Sequence, residues 1–135
     1  MKIIINDHRK IFAIQKEFSE MFPCLKIEFL AKPSNIGGSP VNKEIKYSSK
    51  TLGECRLIHN KGTITITPQM TVIGMERNFR DVYGLSVQVF RQSGNAWLET
   101  SVTDNWTLEQ QNRMGEELSK KKKKKEKRSL SKKSI

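Results

Sequence analysis

Cysteine, histidine and long apolar runs are all scarce in this chain, and each scarcity closes a class of function. The two cysteines, Cys24 and Cys55, stand far apart and in no CxxC pattern. Two separate reduced thiols are expected, with a single Cys24–Cys55 disulfide as the alternative. The histidines are His8 and His59, and no pair drawn from His8, Cys24, Cys55 and His59 has the spacing of zinc ligands. No metal and no other cofactor is therefore expected. No apolar run approaches the roughly 20 residues of a membrane span. The opening MKIIIND has three apolar residues before Asp7, short of the about 7–15 of a signal-peptide core. The expected location is cytoplasmic.

Catalytic patterns are missing too. There are no paired carboxylates, no Ser–His–Asp order and no activated thiol, so no catalytic residues and no enzyme are expected. Ile36-Gly37-Gly38-Ser39-Pro40 is glycine-rich but lacks the order of a phosphate-cradling loop.

What the chain does have is a charge imbalance with a sharp boundary. Residues 1–119 carry 15 Lys+Arg against 13 Asp+Glu, a net of +2. Residues 120–135 carry 10 against 1, a net of +9, which completes the +11 of the whole chain. The pI near 9.8 thus describes a cationic tail attached to a near-neutral body. A single domain is expected over 1–119, with a flexible loop at 32–50, and 120–135 as a disordered or partly helical polylysine tail.

Within the body, Ile3–Ile5 suits a buried first strand. Asn6 or Asp7 is expected to cap a helix on which Ile11, Ile14, Phe18, Met21 and Phe22 share one stripe. Leu25, Ile27, Phe29 and Ala31 alternate with polar neighbours as a second strand. Thr51 with Glu54 reads as a capping box on a short helix to about Ile58, followed by a strand at Thr63–Thr67. Thr71 caps a further helix carrying Val72, Met75, Phe79 and Val82, with Gly84 placed to end it. Leu85–Val89 and Ala96–Val102 form a hairpin around Gln92–Asn95. Thr107 with Gln110 opens a last helix through Leu108, Met114 and Leu118, expected to run into the lysines.

This order predicts an α+β fold. It suggests a two-layer sandwich of ferredoxin-like split β-α-β order, with an extra short helix and a C-terminal hairpin strand plus helix.

The tail supplies the candidate binding residues: Lys120, Lys121, Lys122, Lys123, Lys124, Lys125, Lys127, Arg128, Lys132 and Lys133. Ammonium groups displace condensed counterions from a polyanion without reading its sequence. Targeting, contact with anionic lipid and plain solubilisation are alternatives for the same composition. On the body, Arg91 and Trp97 are the possible contact surface, Trp97 being one exposed aromatic on which a base can stack. The competing expectation for Trp97 is packing under a helix or over a second small core.

The stretch Gly84–Asn112 (GLSVQVFRQSGNAWLETSVTDNWTLEQQN), with Thr51-Leu52-Gly53-Glu54 upstream, resembles small uncharacterised bacterial proteins. These share a V-Q-V-F-R-x-S-G-N-x-W-L-E-T hairpin and a T-D-x-W-T-L-E-Q segment. The resemblance implies a bacterial cytoplasmic origin and carries no activity.

The expected function is that of a non-enzymatic accessory or interaction module. Its body docks a protein partner, and its tail makes nonspecific, salt-dependent contact with nucleic acid or another polyanion. The alternatives are an adaptor or a small-ligand sensor with a solubilising tail. An enzyme would require the 32–50 loop to border a pocket containing Asp104, His8 or His59.

Overall fold

The computed structural model describes residues 1–31, 43–44 and 49–119. The fold is α+β, with β1 (Lys2–Ile5), α1 (Ile11–Met21), β2 (Leu25–Ala31) and β3 (Lys43–Glu44) leading to a 3₁₀ turn at Leu52–Cys55. There follow β4 (Gly62–Thr65), α2 (Val72–Tyr83), β5 (Ser86–Ser93) and β6 (Ala96–Glu99). A last helix, α3, covers 108–119. The tail 120–135 lies outside the described residues, as do 32–42 and 45–48 of the expected loop. Residues 43–44 of that loop are β3, antiparallel to 30–31 of β2.

The strands form two antiparallel sheets. One is β1-β4, and the other has the order β3-β2-β5-β6. A ferredoxin-like order would place β1 within a single sheet, so the observed order departs from the expected one. The reason lies at the edges of β2. Its hydrogen bonds to β5 fill one side. On the other, α1 supplies side chains, Ser19 Oγ donating to the Leu25 carbonyl at 3.0 Å and Gln15 Nε2 to the Ile27 carbonyl at 3.0 Å. Over 25–27 this edge is therefore taken by helix side chains, and a strand, β3, joins it only at 30–31.

The core follows from alternation. Ile3 and Ile5, Ile64 and Ile66, and Leu25, Ile27 and Phe29 are all buried, as are Val87 and Val89. They meet Ile11, Ile14 and Phe18 of α1 and Val72, Met75 and Phe79 of α2 in one cluster. The stripe spacing of both helices places these residues on one face each.

Several local signals act as the sequence implies. The Thr71 hydroxyl accepts from the Gly74 N–H at 3.1 Å. Gly84 closes α2 at φ 63°, its N–H bonded to the Arg80 carbonyl and that of Leu85 to the Phe79 carbonyl. This left-handed turn costs glycine nothing and any other residue strain. Gln110 and Thr107 exchange both bonds of their capping box.

Others differ. Neither Asn6 nor Asp7 caps α1, whose N-cap is Lys10 without a side-chain bond. Asn6 Oδ1 instead accepts the N–H groups of His8 and Arg9, closing a turn four residues ahead of the cap position. Glu54 does accept from the Thr51 N–H at 2.8 Å, but the turn ends at Cys55 rather than reaching Ile58. The returning hairpin strand stops at Glu99. There the Thr100 N–H and hydroxyl both donate to the Val89 carbonyl, which pulls Thr100 inward and leaves Val102 94% exposed.

Candidate functional site

Sheet register decides what the body can present. Lys26 pairs with Phe90, Phe90 with Glu99, and Gln92 with Trp97. Side chains alternate along a strand, and directly paired residues share a face. Lys26, Glu28, Leu30, Ser86, Gln88, Phe90, Gln92, Trp97 and Glu99 therefore line one face, opposite the buried Leu25, Ile27, Phe29, Val87 and Val89. None of the nine is buried.

On that outer face two rings converge. Lys26 Nζ lies 5.4 Å from the Phe90 ring centre and 5.1 Å from that of Trp97. Its ammonium also pairs with Glu28 at 3.2 Å. Trp97 is 38% exposed. The expectation that it packs under a helix is thus corrected: β6 is an edge strand with all four residues exposed, and Trp97 stands on its open side. Ala96 and Leu98, on the opposite face of the strand, are exposed as well.

Arg91 does not join Trp97. It pairs with Leu25 and Leu98, which turns its side chain to the inner face. There its Nη1 donates to Gln111 Oε1 at 2.9 Å and its guanidinium carbon lies 5.9 Å from the Trp106 ring. Gln111 is fully buried, and its amide donates to both the carbonyl and the hydroxyl of Thr103. Arg91 is a structural residue that ties β5 to α3. The partners of Trp97 on its own face are Phe90 and Lys26, which sequence reasoning passed over. The parity of Lys26 in its strand is legible, but the β2–β5 pairing that sets it against Phe90 is not.

A second feature opens at the edge of β5. Odd-numbered residues of β5 direct their backbone groups away from β2, since Gln92 N–H reaches the Cys24 carbonyl on that side. β6 covers this outer edge only from Phe90 onward. At Val89 the gap is filled by the Glu76 carboxylate, which accepts the Val89 N–H at 3.1 Å. Beyond lies a pocket of about 320 Å³ lined by Leu30, Ile73, Glu76, Arg77, Arg80, Ser86, Val87, Gln88 and Asp104. The Asp104 carbonyl accepts from Ile73 N–H at the start of α2, and Asp104 lines this pocket with Glu76.

Burial pushes the Glu76 carboxyl up to about 7, with the nearby Asp104 charge adding to the rise and the Val89 N–H opposing it. The folded state then holds a proton between about pH 4.5 and 7 that the unfolded chain has lost, so stability falls as pH rises through that window. Glu76 is half-buried and solvent screens part of the effect, leaving about 1–2 kcal/mol between pH 5 and 8. Glu76→Gln should flatten this dependence and be the more stable protein at pH 8, as read by urea melts at both pH values. Parallel pH profiles would contradict it.

His59 and His8 lie away from this pocket. His59 Nδ1 lies 2.8 Å from Asp7 Oδ2, while Arg56 donates to Asp7 Oδ1 from Nε and Nη2. Arg56 is buried and also donates to the Tyr83 carbonyl at 3.0 Å. The His59 hydrogen bond foremost, with Arg56, holds the Asp7 carboxyl below its ordinary range. Asp7 is therefore the counter-ion of a buried arginine, a use that explains its absence from the helix cap. Burial pushes the Cys55 thiol up, against thiolate chemistry. The two cysteines are not joined in a disulfide. Among the described residues, no group of three or more His, Cys, Asp or Glu is placed to hold a metal ion, and no helix is long and apolar enough to cross a membrane.

The ten cations of the tail lie outside the described residues. The chain reaches them after α3, which packs with Arg91 on the inner face of the sheet, opposite the ring cluster. A Cβ on Gly115 would lie 2.9 Å from Cys24 Cβ, 3.1 Å from the Gln92 carbonyl oxygen and 3.2 Å from Arg91 Cγ. Only glycine lets the helix approach the sheet this closely. Gln92 is the cross-strand partner of Trp97. Comparison of the chain with family models, with curated proteins and with solved structures finds no match.

Proposed function

We propose that the protein is a non-enzymatic interaction module whose basic C-terminal tail makes nonspecific, salt-dependent contact with nucleic acid or another polyanion. The observation that carries this reading is the partition of charge, +2 over 1–119 against +9 over 120–135. The body supports it by neutralising much of its own charge. Arg9 pairs with Glu17, Lys26 with Glu28, Arg56 with Asp7, Arg80 with Asp81 and Arg113 with Glu109. Anion attraction then falls to the tail. Lysine is a strongly hydrated point charge without the planar fork that arginine brings to base edges, so the contact follows phosphate density and not sequence.

The test is filter binding of a labelled duplex of arbitrary sequence by the full chain and by residues 1–119. The core residues all lie within 1–119. Truncation should weaken binding by about 100-fold or more at moderate salt. A chain with the tail residues in scrambled order should bind like the native one. Equal affinity of the full and truncated chains would overturn the proposal.

A further inference from the structure

The outer edge of β5 is closed by other groups at two positions and open at the one between them. The Val89 N–H is taken by the Glu76 carboxylate, and the Val89 carbonyl by the N–H and hydroxyl of Thr100. The Leu85 N–H is taken by the Phe79 carbonyl, where α2 ends. Val87 shares their parity, and among the described residues no strand stands opposite it on that side. Its backbone therefore faces the pocket beside α2, whose wall it forms. Val87 is buried, and a buried N–H and carbonyl that face one cavity call for a partner within it.

The charges of the pocket are ordered along the same direction. Ile73, Glu76, Arg77 and Arg80 form one stripe of α2 turned to the strand edge. Asp104 stands at the start of that helix, where its carbonyl meets Ile73 N–H, and Glu76 is level with Val89. Arg77 and Arg80 follow toward the end of α2, from which the chain turns into β5. The helix rises about 10 Å from Ile73 to Arg80. Carboxyl groups thus occupy one end of the pocket and guanidinium groups the other. Arg80 is shared with Asp81, whereas Arg77 and Asp104 have no ion-pair partner among the described residues.

The geometry points to a binding site for a tripeptide with free termini, which lies antiparallel to β5 and pairs its middle residue with Val87. In an antiparallel pair one residue exchanges both N–H···O bonds with the residue opposite. A tripeptide is the shortest peptide whose interior residue carries both an amide N–H and an amide carbonyl. Three extended residues span about 10 Å, the same length as the separation of charge in the pocket. The antiparallel direction is the one β6 already follows against β5. It sets the ligand ammonium beside Glu76 and Asp104 and the ligand carboxylate beside Arg77 and Arg80. A longer strand gains little here, because the N–H groups on either side of Val87 are already bonded. A cavity of about 320 Å³ likewise lies at the small end of the range for ligand sites. The site is independent of the tail and gives the body a ligand of its own.

The test titrates the isotope-labelled full chain with trialanine, N-acetyl-trialanine, trialanine amide and free alanine, followed by amide NMR. Recognition through two termini and one backbone unit is indifferent to side chains, so trialanine is a sufficient probe. Trialanine should shift the Val87 amide resonance. Each blocked form should bind about 5-fold more weakly, the loss of one partly exposed charge contact. Free alanine has no interior residue and should leave Val87 unshifted. Asp104→Asn should weaken trialanine about 5-fold and leave the acetylated form unchanged, since the ammonium it meets is already gone. Arg77→Gln should weaken trialanine and leave the amide form unchanged. This crossing separates the ends of the site from a general defect of folding, which would weaken every ligand alike. No shift at Val87 with millimolar trialanine, equal binding of free and blocked forms, or equal losses on every ligand would overturn the inference.

Discussion

Phe79→Ala should destabilise the fold by about 3–5 kcal/mol, a large share of the about 5–15 kcal/mol expected for a whole domain. Phe79 is fully buried on α2 and meets Phe29 of β2 edge to face, with ring centres 6.3 Å apart and planes at 88°. The ring joins the helix to the inner face of the four-stranded sheet. Its removal costs the transfer of an aromatic side chain, the aromatic pair and a cavity that a helix anchored at both ends by Thr71 and Gly84 cannot collapse around. Phe79→Leu should retain much of the stability. Urea melts of both variants measure the effect, and a loss below about 1 kcal/mol for alanine would contradict the packing described.

Gln111→Met should cost about 2–4 kcal/mol, although methionine has nearly the same length and is more apolar. The Gln111 amide is the hub of a buried set in which Arg91 donates to it and it donates twice to Thr103. Arg91 Nε already lies buried without a hydrogen-bond partner among the described residues. Removing the acceptor from Nη1 leaves more of a buried cation unsatisfied, and the Thr103 carbonyl loses its donor as well. Replacing one member of such a network is costlier than never having had it. The segment 101–107 should then exchange its amide hydrogens faster, because the Gln111–Thr103 bonds hold it against α3. A variant within about 0.5 kcal/mol of native stability would show that the network is dispensable.

What the sequence made legible and what it hid follow one physical division. Signals acting over three or four residues were readable: the Thr71 cap, the Met75–Phe79 stripe, the left-handed Gly84 and the Thr107–Gln110 box. The hairpin turn was readable too, and Gly94 there takes φ 63°. Long-range pairing was not. Nothing in the strand sequences says that β2 lies beside β5, and that single fact sets Lys26 against Phe90; the inward side of Arg91 follows from its parity with Val87 and Val89. Captured edges were hidden for the same reason. Gln15, Ser19 and Glu76 are ordinary polar residues on helix surfaces until a strand edge is placed beside them. Asp7 looked like a cap because capping needs only local geometry, while its true partner, Arg56, is 49 positions away. The charge boundary at residue 120 needed no fold at all to be seen.

The most direct test of the account is the salt dependence of binding by the full chain to a single-stranded oligonucleotide. Each phosphate neutralised releases counterions, so the slope of log K against log salt counts the contacts. With six to ten of the tail cations engaged, the account predicts a slope of about −4 to −7, collapsing to about −1 or to no binding in the 1–119 chain. A shallow slope near −1 for the full chain, or a truncated chain that keeps both affinity and slope, would contradict it.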